Sequence, residues 1–261
     1  MNTASIVSRV FSFCTTLRDD GVPANPPFGK KSSMSFTNEE GGQATDELTY
    51  NRQDFWATPS NKQLNFVQHI RSMLNTTGRA AVVVPDNVLF EGGAGETIRR
   101  KLLESTDLHT ILRLPTGIFY ARGVKANVIF FDNRVASPSP WTRAVWYYDY
   151  RTNVHHTLKK RPMRFEHLTD FIQCCNPRNR HERTPTWDLE TNPEGRWRRF
   201  GYEELIARDK ASLDVFWLKD KTLTDLDNLP ESDALAEEII DNLDAGLANF
   251  REVLSGLGKR A

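Results

Sequence analysis

Apolar and polar positions change period several times along the chain, and each change marks an element. Within LNFVQHIRSML, Leu64, Val67, Ile70, Met73 and Leu74 recur at helical spacing, and Gly78 stands just beyond as a stop. RAAVVVP (79–85) is a short, unbroken apolar run rich in β-branched residues, the pattern of a strand covered on both faces. A glycine-rich turn, EGGAG, leads into a helix at ETIRRKLLES. LHTILRLP and ANVIFFDN read as strands over about 108–113 and 126–132. They are joined without a helix and are therefore expected as an antiparallel pair. AVWYYDYR (144–151) reads as a further strand. The alternation of strands and helices predicts an α/β layered domain.

The flanks are less regular. RVFSFCTTL, within residues 1–24, fits a short strand or a short helix, and Pro23 interrupts the approach to residue 25. Residues 29–50 are polar, with glycine, serine and charges of both signs, and read as a long loop. From about 175 to 200 the chain becomes rich in Arg, Pro and Trp with little periodicity, which predicts an extended connector. Over 233–258 the pattern is helical again. Ile240, Leu243, Leu247, Phe250, Leu254 and Leu257 repeat at alternating spacings of three and four, an a/d seam. Such a helix packs on its own domain or on a partner helix, and its position outside the α/β pattern favours the partner. The expected organisation is an atypical segment 1–24, an α/β region 25–174, a connector 175–232 and a C-terminal amphipathic helix 233–261.

Composition narrows the function classes. The chain has 261 residues, 39% of them hydrophobic, enough for one sizeable core. Its formal net charge is zero, so any affinity for nucleic acid must come from local patches or from a partner. The three cysteines, Cys14, Cys174 and Cys175, form no disulfide framework or zinc spacing, which suits a reducing, cytoplasmic setting. No apolar run approaches the roughly 20 residues that cross a bilayer. His155, His156 and His181 lack metal-ligand spacing and read as surface residues, and no metal is expected.

The stretch that carries chemistry is VPANPPFGKK. Asn25 offers one amide acceptor and two donors, and Pro26 keeps its carbonyl acceptor. Two consecutive prolines, Pro26 and Pro27, hold φ near −65° and fix these groups relative to one another. Phe28 adds a flat face. The set suits an exocyclic amino group on a planar base: two acceptors for its two hydrogens and a ring to stack on. Accepting both hydrogens localises the nitrogen lone pair, so direct displacement needs no strong base. The base must first leave the duplex.

Asn-Pro-Pro-Phe, together with GRAAVVVPDNVLFEGGAGETIRRKLLE, LHTILRLPTGIFYARGVKANVIFFD, YYDYRTN and SLDVFWLKD, resembles the modification (M) subunits of type I restriction–modification systems. These are N6-adenine DNA methyltransferases. The resemblance implies that Asn25, Pro26 and Phe28 hold a flipped adenine, that Pro27 keeps the loop in shape, and that S-adenosylmethionine donates the methyl group. It also implies double-stranded DNA, a specificity (S) subunit and a restriction (R) subunit as partners. The seam Ile240, Leu243, Leu247, Phe250 and Leu254 is the candidate docking surface for the specificity subunit. Lys30 and Lys31 are candidate DNA-backbone contacts. Lys125 and Asn127, in GVKAN, lie where the family places its target-base pocket; a hairpin turn accounts for them equally. Arg178, Arg180 and Arg183 with Trp187 and Trp197 mix basic and aromatic residues, but interleaved acids make a connector the better reading.

The family pattern is not matched throughout. Its cofactor loop and the acidic residue after the second strand precede Asn-Pro-Pro-Phe, and residues 1–24 contain one glycine, Gly21, and no glycine-rich turn. Of the family sheet order 3-2-1-4-5-7-6, only 4-5-7-6 is expected here, a partial Rossmann-like methyltransferase sheet. Pro23 puts even strand 4 in question. The chain thus reads as truncated at its N-terminus, and a non-catalytic remnant that only docks on a specificity subunit is the alternative. FEGGAG (90–95) resembles a permuted cofactor loop, but PDNVLF separates it from the preceding strand, so a plain loop-to-helix turn is expected.

Overall fold

The computed structural model describes residues 21–27, 33–37, 43–47, 52–119, 124–158 and 161–221. They fall almost wholly in one compact unit, Met1–Lys219. The second unit, Asp220–Ala261, covers the expected C-terminal helix, whose seam lies outside the described residues.

Strand β1 (Gly21–Ala24) precedes a two-stranded antiparallel sheet of β2 (Ser33–Thr37) and β3 (Gln43–Glu47). That sheet stands where a plain loop was expected; in sequence Met34 and Phe36 alternate with small polar residues, the strand period. Helix α1 (Lys62–Met73) starts at Asn61, whose side chain accepts from the Gln63 amide at 3.0 Å. Leu64, Val67, Ile70 and Leu74 form its buried stripe, while Met73 is exposed. Strand β4 (Arg79–Pro85), short α2 (Asn87–Phe90) and α3 (Ala94–Ser105) come next. Then come β5 (Thr106–Leu114), β6 (Ala126–Asn133), β7 (Ala144–Asp149), α4 (Thr169–Cys175), β8 (Trp197–Gly201) and α5 (Tyr202–Ile206).

Six strands form one mixed sheet in the order β1-β4-β6-β5-β7-β8. The first four reproduce the expected 4-5-7-6, with β5 and β6 antiparallel, and β7 and β8 extend it. Pro23 is accommodated in β1 opposite Ala81, and β1 stands at the end of the described sheet, where proline is best tolerated. The run Ala80–Val84 is buried throughout and feeds two cores. Ala80, Val82 and Val84 meet α1 and α3 on one face, whereas Ala81 and Val83 join Phe171 and Trp197 on the other.

The stretch from 175 does not behave as an extended connector. Trp197 is fully buried and stacks on Trp146 with centroids 5.2 Å apart, while β8 pairs antiparallel with β7. Much of the basic–aromatic run is tied into the fold, while Arg178 is exposed. Arg180 reaches Asp132 at 2.7 Å, buried Arg183 donates to the Cys175 carbonyl, and Arg198 lies 3.8 Å over the Trp187 ring. Compact packing continues to Lys219, so the unit boundary falls near 219 rather than at 174. Cys175 is buried, and burial pushes the Cys174 thiol up to about 12, so neither cysteine is a ready nucleophile.

At the end of the sheet away from Asn25, His109 is buried beside Asp132, with Nε2 to Oδ1 3.6 Å. Burial pushes its imidazole down to about 4, outweighing the Asp132 carboxylate. The unfolded chain takes up this proton near its ordinary 6.5 and the folded chain only near 4, so stability falls as pH drops between them. The loss from this group at pH 5 is about 2 kcal/mol. His109→Gln is expected to flatten the fall in unfolding free energy between pH 7 and 5, measured by urea denaturation at both values. Identical pH slopes in the two proteins would exclude burial of a neutral His109 as the cause.

Candidate active site

Parallel pairing aligns the carboxyl ends of β1 and β4, with Ala24 opposite Val82. Asn25, Pro26 and Pro27 leave β1 at that end, exposed, half-buried and exposed in turn. Open α/β sheets bind ligands at such strand ends. Phe28, Lys30 and Lys31 lie outside the described residues.

Beside Pro27 opens a cavity of about 410 Å³ lined by Arg52, Phe55, Lys62, Asn65, Phe66 and His69. Four of these residues, at 62, 65, 66 and 69, share one face of α1 by helical spacing. Arg52 closes one side. It donates to Asp54 and to His69 Nδ1 at 2.7 Å, and its guanidinium lies 4.5 Å over the Phe55 ring. Since arginine only donates, His69 Nδ1 accepts and its proton sits on Nε2. Buried Asn65 donates to the Pro59 carbonyl at 2.9 Å, yet its Oδ1 has no hydrogen-bond partner. An unsatisfied buried acceptor costs free energy until a donor reaches it. Its aromatic walls suit a planar ring.

Further along the rim an ion pair joins four strand ends. Arg151, just after β7, donates to both oxygens of Asp86, just after β4, at 2.7 and 2.8 Å. The same guanidinium donates to the Leu114 carbonyl ending β5 and the Ala126 carbonyl opening β6. Burial alone would raise the Asp86 carboxyl, but hydrogen bonds and charge from Arg151, with help from Asn127, hold it below its ordinary value. Asp149 accepts from the amides of Arg151 and Thr152 and so fixes the turn that aims the guanidinium.

Of the expected site residues, Asn25, Pro26, Pro27, Lys125 and Asn127 all fall on this rim. Lys125 is exposed. Asn127 is wholly buried, and its amide donates to Asp86 at 2.8 Å, so it braces the rim from inside and does not face DNA. Neither Asp86 and Arg151 nor the cavity residues were singled out from sequence. Their visible signals were a polar residue directly after each apolar strand and a polar–aromatic face opposite the buried stripe of α1.

The glycine-rich turn is a structural joint. Wholly buried Arg99 donates to the carbonyls of Val88, Glu91, Lys210 and Ala211, filling the space beneath the turn. Glu91 in turn accepts from Asn61 and Asn87. Helix α2 separates the turn from β4, so no strand feeds it directly. Among the described residues no group of His, Cys, Asp and Glu could hold a metal, and no helix is long and apolar enough to cross a membrane.

A model of the N-6 DNA methylase family matches residues 10–192. The chain is 42% identical to the EcoKI type I restriction enzyme methylase subunit of Escherichia coli (strain K12), over 91% of this chain and 46% of that protein. It is 41% identical to the StySPI methylase subunit of Salmonella potsdam, over 92% of this chain and 47% of that protein. Among solved structures, the EcoKI M protein is 41% identical with a TM-score of 0.61, covering 92% of this chain and 50% of its own. A type I methyltransferase subunit from Streptococcus thermophilus, 21% identical with a TM-score of 0.51 over 77% of this chain and 40% of its own, shares the fold. The chain spans about half the length of the curated relatives it matches.

The connection from β5 toward Lys125 has one unforgiving point. Gly117 has φ +80°, and a Cβ there would lie 2.0 Å from the His156 carbonyl oxygen. Gly117→Ala is expected to destabilise the chain by about 2–4 kcal/mol through strain and collision. A chemical denaturation midpoint within error of wild type would contradict this contact.

Proposed function

The chain belongs to the N-6 DNA methylase family, and on that premise we propose that it contributes the target-base half of an adenine N6 methyltransferase acting on double-stranded DNA. The observation that carries this reading is Asn-Pro-Pro standing at the carboxyl end of β1, beside a cavity suited to a planar ring. The side-chain oxygen of Asn25 and the carbonyl of Pro26 accept the two hydrogens of the adenine amino group. Phe28 stacks on the extruded base, and Pro27 holds the turn. S-adenosylmethionine, when bound, supplies a methyl group on a sulfonium sulfur, a leaving group good enough for attack by a weakly basic amine. The cavity lined by Phe55, Asn65 and Phe66 suits a purine ring, the flat part that cofactor and target base share. Lys30, Lys31 and Lys125 meet phosphates as point charges. Asn127 serves the rim, not the DNA.

The partners proposed are a specificity subunit, which supplies the choice of DNA site, and a restriction subunit in the full complex. The specificity subunit docks on the seam Ile240, Leu243, Leu247, Phe250 and Leu254. A second reading is a docking module without catalysis.

The test uses labelled S-adenosylmethionine, an adenine-containing duplex and the purified chain. It is run alone, and then with a specificity subunit and the N-terminal half of the related Escherichia coli subunit. Label is expected on adenine N6, and Asn25→Ala is expected to cut transfer roughly 10²–10³-fold, the scale of losing one group that stabilises developing charge. Label on cytosine defeats the reading. No transfer in any mixture by a folded chain, with specificity-subunit binding kept, selects the docking module. Separately, Leu243→Asp with Leu247→Asp should abolish co-purification with a specificity subunit; undiminished co-purification removes the seam from the interface.

A further inference from the structure

Arg151 commits its guanidinium to both ends of one connection. Nε donates to the carbonyl of Leu114, where the chain leaves β5, at 3.0 Å, and one terminal nitrogen donates to the carbonyl of Ala126, where it enters β6, at 2.9 Å. The two terminal nitrogens also hold Asp86 as a fork, and the Asp86 amide donates to the Lys125 carbonyl at 3.1 Å. Asn127 closes the set on the Asp86 carboxylate. The Arg151 and Asp86 side chains are only 12% and 17% exposed, so the pair is screened little by salt. Lys125 thus has its backbone pinned and its side chain in solvent.

We propose that Arg151, acting through Asp86, is a positioning residue that fixes Lys125 on the rim for a DNA phosphate. This rests on the reading of Lys125 as a DNA contact. A lysine at 151 keeps the charge but lacks the planar fork, and it cannot reach Leu114, Ala126 and both Asp86 oxygens together. Beyond the strand ladders that link β6 to β5 and β5 to β7, Arg151 is the side chain that joins the end of β7 to the Lys125 backbone through Asp86.

The test is a double-mutant cycle in the full chain: wild type, Lys125→Ala, Arg151→Lys and the double variant. Binding to an adenine-containing duplex is followed by fluorescence anisotropy across a salt series. Lys125→Ala is expected to lower the salt slope by about 1, and Arg151→Lys to do nearly the same. The double variant should bind no worse than either single variant. Exchange of the Asp86 amide should quicken at least about tenfold in Arg151→Lys while the β4 amides keep their protection. Should Arg151→Lys fail to fold, Asp86→Asn carries the same cycle. Additive losses overturn the positioning role and leave Lys125 as a contact. A uniform rise in exchange over the chain overturns it as well, since the arginine would then serve only general stability. A wild-type chain that binds no duplex overturns both the Lys125 reading and this inference.

Discussion

The rim depends on β4 being covered on both faces. Its five consecutive buried residues, Ala80–Val84, divide between two cores, and that division fixes its register against β1 on one side and β6 on the other. A slip of one residue would send Val82 and Val84 into the wrong core and move every neighbouring strand end by one position. Each buried valine contributes about 1.5–3 kcal/mol, so the register is held by several times the free energy of any single rim contact. Asn25 thus follows directly on a strand whose register is set by the apolar β4. The motif can be polar, exposed and rich in proline because β4 supplies the order.

Much of this was visible in the sequence, and for a simple reason. Wherever burial dominates, period reveals it: RAAVVVP, LHTILRLP and ANVIFFDN became β4, β5 and β6 within a few residues. The position of Asn-Pro-Pro directly after a short strand was legible because it is local, three residues whose backbone proline restricts. What sequence concealed was long-range pairing of polar groups. Asp86 and Arg151 lie 65 positions apart and each looks like a polar residue after a strand; only the sheet order brings them together. Trp197 looked like part of a basic connector because its neighbours are arginines, yet the indole fills the core while Arg198 turns outward onto Trp187.

The cavity was hidden for a related reason. Reading α1 for its apolar stripe finds Leu64, Val67 and Ile70 and dismisses the other face as solvated. That face holds Lys62, Asn65, Phe66 and His69, and the cavity forms because Arg52 and Phe55 approach it from the preceding segment. Asn65 shows the distinction: a helix residue with an unpaired, buried acceptor is a stability cost without structural return.

Among the cations, a group of buried arginines stands apart from a group of exposed lysines. Arg99, Arg113 and Arg183 are buried, Arg151 nearly so, and each directs its donors to carbonyls or carboxylates within the fold. Lys101, Lys125, Lys210 and Lys219 are exposed. The chemistry of the two side chains explains the split: a planar fork can satisfy several fixed acceptors out of water, while a strongly hydrated ammonium is better left in it. In a chain with no net charge, these four arginines are spent within the fold, and any attraction to phosphate falls to exposed cations, lysines and arginines such as Arg143, Arg178 and Arg199, whose positions matter individually. A lysine tethered only by its own flexible stem would make a poor register for DNA. Lys125, whose carbonyl is held by Asp86, and Asp86 by Arg151, joins the two groups: buried arginine geometry sets the place of an exposed lysine charge.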